Sequence, residues 1–190
     1  MIVEPANQEK FKPFFDLFET LKQKLGTVSY NYWLAGGAIT SHLSKQTIND
    51  FDFYSNNPTQ FIQDLESITP IVNKNPYSYD FMLDGNKIQI TDHPYTDPIH
   101  TLYNYDYTVC CIAFDGKNIY YAEEFWDDIH SKTLKFRKNN IHPFSAFERL
   151  IKYTKRGFSP TAETMLRVGK DLSKYGYAWD KITTDHFRNY

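Results

Sequence analysis

A paired glycine, followed one short segment later by two alternating carboxylates, constrains this chain more than any other feature. An apolar run, Trp33-Leu34-Ala35, enters Gly36-Gly37. Ala38 to Leu43 then reads as a short helix, and Asp50-Phe51-Asp52-Phe53-Tyr54 alternates as a strand does. Residues two apart on a strand share a face. Asp50 and Asp52 should therefore converge, while Phe51 and Phe53 turn the other way into a core. Two convergent carboxylates repel unless something positive sits between them. A divalent cation, magnesium or manganese, meets that need with hard oxygen ligands. Gly36 and Gly37 lack side chains, so the backbone there can approach a bound group closely. The helix start beyond them offers N–H groups to a phosphate. Metal and phosphate cradle together are the equipment of phosphoryl or nucleotidyl transfer. Each half alone has a plainer reading, a tight turn or an exposed strand end. Their joint occurrence in strand, turn, helix and strand order favours the chemical one.

These residues resemble the signature of the nucleotidyltransferase superfamily, the polymerase-beta-like fold. That signature is an apolar residue, Gly-Gly or Gly-Ser, a short segment, then Asp-x-Asp among apolar neighbours. Ala35-Gly36-Gly37 and Asp50-Phe51-Asp52-Phe53 match it. Two later segments are similar to bacterial-type CCA-adding enzymes and poly(A) polymerases. Asp106-Tyr107-Thr108-Val109-Cys110-Cys111-Ile112-Ala113-Phe114-Asp115 looks like their Arg-Arg-Asp-Phe-Thr-x-Asn-Ala segment. Phe147-Glu148-Arg149-Leu150-Ile151-Lys152-Tyr153-Thr154-Lys155-Arg156-Gly157-Phe158 looks like the Arg-rich helix closing their catalytic head. Pro143 precedes it, and Ser159-Pro160-Thr161-Ala162-Glu163-Thr164 follows.

The resemblance implies a metal-dependent transfer of a nucleoside monophosphate from a nucleoside triphosphate to an acceptor hydroxyl, with release of pyrophosphate. Asp50 and Asp52 would hold one or two magnesium (or manganese) ions. Gly36 and Gly37 would cradle the β- and γ-phosphates, and Ser41 would add a hydroxyl. Asp106 would lie near the nucleotide sugar, as a catalytic residue. Arg149, Lys152 and Arg156, at helical spacing on one face, would hold the triphosphate or an RNA backbone. The acceptor implied is an RNA 3′ end, tRNA included, with a protein side chain or a small molecule as alternatives.

Departures from the pattern keep a second class of function open. Asn104 and Tyr105 stand where the family has two arginines, and Thr40-Ser41 where it has Arg-Asp. No Glu-Asp-x-x-Arg base-reading motif is present. Many superfamily members carry a third carboxylate on a neighbouring strand. Here that strand is Lys87-Ile88-Gln89-Ile90-Thr91, with Gln89 at its centre and Asp92 as a possible substitute. The expectation is a catalytic head without the helical body that holds tRNA. The alternatives are a catalytically degenerate nucleotide-binding or interaction module, and a toxin or defence component modifying tRNA or a partner protein.

Composition bounds the rest. A chain of 190 residues fits one nucleotidyltransferase-like domain over 1–190, with a core at about 28–122 and a helical part at about 123–190. Aromatics reach 17%, and Asn, Lys and Ile are also abundant, a pattern of A/T-rich codon usage that suits a phage or virus. Some of the tyrosine should line a groove. Net charge is −2, so there is no global basic footprint, although Ser131 to Lys138 and Arg149 to Arg156 are locally basic. Cys110 and Cys111 are adjacent on an expected strand and face opposite sides there, which argues against a mutual disulfide and suits a reducing compartment. No apolar run is long enough to span a membrane, and the N-terminus lacks a signal-peptide pattern. The expected location is cytoplasmic.

Periodicity predicts an α/β (α+β) fold with a mixed sheet, flanking helices and C-terminal helices. Helices are predicted at residues 7–25, 38–43, 58–68, a short stretch after Pro98, 123–131, 143–156 and 160–172. Strands are predicted at 29–35, 50–54, on both sides of Asp84-Gly85-Asn86, at 107–114 and at 118–121. His42, His142 and Trp33 read as structural.

Overall fold

The computed structural model describes residues 1–137 and 143–174. They fall into two compact units. The first comprises residues 1–104 and 110–123; the second comprises 105–109 and the chain from Glu124 on. Among the described residues no helix is long and apolar enough to cross a membrane.

The first unit is built on a mixed sheet, and its helices follow from the sequence pattern. Helix α1 (Lys12–Leu25) buries Phe14, Leu17, Phe18 and Leu21, one stripe at helical spacing. Pro13 stands in its first turn, and the helix ends at Gly26, whose φ of 69° suits glycine. Strands β1 (Ile2–Pro5) and β2 (Tyr32–Ala35) are followed by α2 (Gly37–Leu43), β3 (Phe51–Ser55) and α3 (Pro58–Glu66). The Asn57 side chain caps α3 by accepting from the Gln60 N–H at 3.2 Å. Then come β4 (Ile71–Asn75), β5 (Ser78–Leu83), β6 (Asn86–Thr91), α4 (Pro98–Leu102), β7 (Ile112–Phe114) and β8 (Asn118–Tyr121). The strand order is β1-β8-β7-β2-β3-β6-β5-β4. Every pair is antiparallel except β3 with β6.

The sheet has one aromatic face. Phe53 and Phe114 point to it, and Phe11, just before α1, and Phe14, Phe15 and Phe18 of α1 cover them at ring separations of 4.8 to 6.5 Å. Phe61 of α3 packs on Phe53 at 6.1 Å. On the opposite face lies Trp33, 1% exposed, whose indole N–H donates to the Thr101 hydroxyl of α4 at 3.0 Å.

The first unit differs from the sequence prediction at its edges and in one strand, and the short strands of the second unit were not expected either. Strands β1 and β4 were not expected. Both lie at the sheet edges, and nearly all their residues are exposed, so they carry no alternating pattern to read. The expected strand over 107–114 is also cut short. Thr108–Cys110 forms a 3-10 turn and the strand begins at Ile112. The cause is local: the Thr108 hydroxyl donates to Asp128 at 2.6 Å and the Thr108 N–H donates to the Lys135 carbonyl at 3.1 Å. These bonds replace sheet pairing at that point. Cys110 and Cys111 are both buried and free.

The second unit contains α5 (Phe125–Ser131), β9 (Thr133–Leu134), α6 (Pro143–Lys155), β10 (Ser159–Pro160) and α7 (Ala162–Ser173). Strands β9 and β10 pair in parallel. Tyr107, fully buried, packs on Phe136 and Tyr153, and its hydroxyl donates to the Ala146 carbonyl at 2.8 Å. The Thr161 side chain caps α7 by accepting from the Thr164 N–H at 3.1 Å.

Candidate active site

The chemistry-bearing face of the first unit is fixed by strand register. Asp52 is the second residue of β3, between Phe51 and Phe53, which face α1 and α3. Alternation therefore turns Asp52 to the opposite face. Cross-strand pairing extends that row. Asp52 is opposite Gln89 on β6, and Gln89 is opposite Asp80 on β5. Asp50 immediately precedes β3 and is half-buried, as Asp52 is.

Asp80 is a residue that sequence reasoning missed. It is 2% exposed, yet its carboxylate is fully engaged. Gln89 Nε2 donates to Oδ1 at 2.7 Å, Asn73 Nδ2 donates to Oδ2 at 3.1 Å, and Lys87 Nζ lies 3.0 Å from Oδ2. Burial pushes the Asp80 carboxyl up, but the three hydrogen bonds and the Lys87 charge outweigh it and hold it below the usual carboxylate range. A group with a depressed folded pKa stabilises the fold above its unfolded value, about 3.9, and that contribution is lost as pH falls through the folded value. The urea midpoint of the native chain should therefore drop between about pH 5 and about pH 2. The Asp80→Asn variant should start lower and lose less over that window. Parallel acid profiles for the two proteins would refute the role.

The two glycines do different work. Gly36 has φ 81°, where an L side chain is strained, and its N–H donates to the Ile112 carbonyl of β7 at 2.9 Å. Its amide is therefore committed to the sheet. Gly37 opens α2, and a Cβ built there meets nothing within 4 Å. The fold does not require glycine at that position, and the space beside its backbone is open. Ser41 is buried at 2% exposure within α2. His42 is held structurally, with Nε2 2.8 Å from the Lys10 carbonyl and its ring edge-on to Phe14. Asp92 is exposed beyond the end of β6, its N–H donating to the Tyr77 carbonyl at 2.8 Å.

Asp106 and the basic helix belong to the second unit. Asp106, 4% exposed, accepts from Arg149 through Nε at 2.9 and 3.1 Å and through a terminal guanidinium nitrogen at 2.7 Å. This forked pair gives Arg149 a buried counter-charge, so its guanidinium is engaged inside the unit. Lys152 lies on α6, and Arg156 follows the helix with its N–H on the Lys152 and Tyr153 carbonyls. His142 and Lys138 lie outside the described residues. The second unit also holds a cavity of about 340 Å³ whose lining includes Lys135, Arg137, Glu124 and Glu163. Its charges are balanced, and Lys135 is paired with buried Asp128 at 2.6 Å.

The family model for "Gabija anti-defense 2 family protein" matches residues 6–132. The chain belongs to that family. A curated relative, "Gabija anti-defense 2" of Bacillus phage SPbetaL7, is 27% identical over 163 residues, covering 80% of this chain and 38% of its own length. Among solved structures, the Thermotoga maritima CCA-adding enzyme complexed with tRNA superposes with a TM-score of 0.75. Its identity is 17%, over 100% of this chain and 50% of the enzyme. A CCA-adding enzyme complexed with CTP gives 0.73 at 16% identity, over 100% of this chain and 49% of the other. The Bacillus stearothermophilus CCA-adding enzyme with CTP gives 0.59 at 17% identity, over 94% of this chain and 46% of the other. The chain thus spans 38% of the phage relative and about half of these enzymes. The fold is that of the nucleotidyltransferases, as the Gly-Gly and Asp-x-Asp segments implied.

Asp52, with Asp50 two residues before it, could supply two carboxylates to a hard divalent cation; magnesium commonly takes one or two of these with waters and substrate phosphates completing its shell. Among the described residues there is no group of three His, Cys, Asp or Glu side chains that could hold a metal.

Proposed function

We propose that this family member is a metal-dependent nucleotidyltransferase. It moves a nucleoside monophosphate from a nucleoside triphosphate to an acceptor hydroxyl and releases pyrophosphate. The observation that carries the proposal is the placement of Asp52. It lies on the face of β3 turned away from the aromatic core, in a chain whose whole length superposes on nucleotide-transferring enzymes. In this reading Asp50 and Asp52 bind magnesium or manganese, which neutralises charge on the triphosphate and on the attacking oxygen. The open backbone at Gly37 admits the phosphates, and Ser41 backs that turn. Within the second unit Asp106 fixes Arg149, and Lys152 and Arg156 are the cations offered to an acceptor backbone. Catalysis is positioning and charge neutralisation.

The acceptor favoured is an RNA 3′ end, tRNA included, because the T. maritima structure is described as a tRNA complex. The family description adds a second reading of the biological role. A phage protein directed against a bacterial defence system would use the same transfer on a component of that system, or use the fold only to bind. One experiment addresses all of these. The chain is incubated with each α-phosphate-labelled nucleotide, magnesium, and either total RNA or host protein. Label retained on RNA supports RNA modification, and label on protein moves the acceptor to a protein side chain. Absence of label from both and from any small-molecule product, with nucleotide still bound, overturns catalysis and leaves the binding module.

A further inference from the structure

The row Asp52–Gln89–Asp80 holds an arrangement that the two-carboxylate reading does not use. Gln89 sits between the two acids on the central strand of the three. Neighbouring strands are about 4.8 Å apart, so its carboxamide lies beside Asp52 on one side and Asp80 on the other. An ionised carboxylate only accepts hydrogen bonds. The 2.7 Å contact with Asp80 Oδ1 therefore fixes which end of the amide is which: Nε2 faces β5. The carbonyl oxygen Oε1 is thus the end of the amide that Asp80 does not hold, and the register partner of Gln89 on its other side is Asp52. Asp80 is itself locked, because Asn73 and Lys87 both hold its other oxygen.

We infer that Gln89 supplies a third, neutral oxygen ligand for a divalent cation on the Asp52 face, and that Asp80 is the positioning residue that holds this oxygen in place. The inference rests on the proposal that this face binds a cation. The donor set is then two carboxylates and one carbonyl oxygen, all hard ligands of the kind magnesium and manganese take. A neutral third ligand leaves the site one negative charge poorer than three carboxylates would. It also avoids a second acid directly beside buried Asp80, where like charges would repel. Partners one step removed from the metal set ligand orientation, and their loss costs roughly 10- to 100-fold in metal affinity.

The test is titration of the full chain with Mn2+ alone, reading free Mn2+ by electron paramagnetic resonance. Gln89→Leu keeps the shape and removes the oxygen; it should weaken Mn2+ by roughly tenfold. Asp80→Asn lets the Gln89 amide turn its nitrogen toward Asp52, and should weaken Mn2+ by a similar factor. Combined, the two substitutions should be no worse than Gln89→Leu alone, because Asp80 acts only through Gln89. A merely structural Asp80 would instead weaken binding equally in both backgrounds, and that result overturns its positioning role. Gln89 is half-buried on the strand surface, so its variant should fold even where Asp80→Asn does not. Unchanged Mn2+ affinity in Gln89→Leu overturns the inference by itself. Native protein that binds Mn2+, loses it in Asp52→Asn and keeps it in Gln89→Leu overturns this inference while leaving the proposed function standing. Native protein that binds no Mn2+ overturns both.

Discussion

Asp52→Asn is expected to abolish nucleotide transfer, by on the order of a thousandfold, while the protein stays folded. A loss of that size is typical when one preorganised charge-stabilising group is removed from a site whose catalysis is electrostatic. Asparagine keeps the shape of aspartate and removes only the charge. The side chain points away from the Phe53 core, which should pack as before. In metal-free buffer the variant should melt no lower than the native chain, because the neighbouring Asp50 loses a like-charged neighbour. Asp50→Asn should behave in the same way. The measurement pairs label transfer with thermal denaturation. Native-level transfer by a folded Asp52→Asn protein would sink the proposed function. Loss of transfer accompanied by a large fall in melting temperature would show Asp52 to be structural.

Much of this site could be read from the sequence because its signals are local. Strand alternation alone placed Asp52 opposite Phe51 and Phe53, and the Gly36-Gly37 turn into α2 followed from residue type. The hairpin at Asp84-Gly85 was equally plain, since both residues adopt positive φ, at 49° and 81°. That hairpin carried more information than its turn residues showed. A two-residue turn sets the register of its strands, so Leu83 opposite Asn86 counts back to Asp80 opposite Gln89. The signal for Asp80 was present, but a lone acid in an apolar strand drew no attention without that count. The pairing of β3 with β6 was not legible. It is parallel, made across α3 and two intervening strands, and no turn fixes it. Edge strands β1 and β4 were missed for a different reason. With both faces largely exposed they have no buried stripe to reveal them. The Asp106–Arg149 pair bridges 43 positions of sequence, beyond the reach of any spacing rule. Helical spacing grouped Arg149 with Lys152 and Arg156, of which Arg149 and Lys152 lie on α6 and Arg156 follows it, but spacing does not reveal that Arg149 is paired with Asp106.

That partner changes what neutralising the basic helix should do. As an exposed cation, Arg149 would contribute little to folding. The forked pair with Asp106 gives it a structural role, since Asp106 is 4% exposed while the Arg149 side chain is 38% exposed. Removing the arginine leaves a buried carboxylate without its main counter-charge, and breaking such a pair costs about 3–5 kcal/mol. Solvent already reaches the arginine side, so Arg149→Met should cost about 2–3 kcal/mol, below that range. For a chain of this size that lowers the melting temperature by roughly 4–12 °C. Lys152→Gln should change it by less than about 0.5 kcal/mol, as surface substitutions do. The decisive comparison is the double variant Arg149→Met/Asp106→Leu, which removes the buried charge along with its partner. It should recover much of the loss, because apolar replacement of a whole buried ion pair is often neutral or stabilising. Urea denaturation of the four proteins measures this directly. If Arg149→Met is as stable as the native chain, the pair is only a surface contact, and Arg149 returns to the set of cations available to a triphosphate or an RNA backbone. If the double variant is less stable than Arg149→Met, the destabilisation comes from lost packing around Asp106 rather than from its unpaired charge.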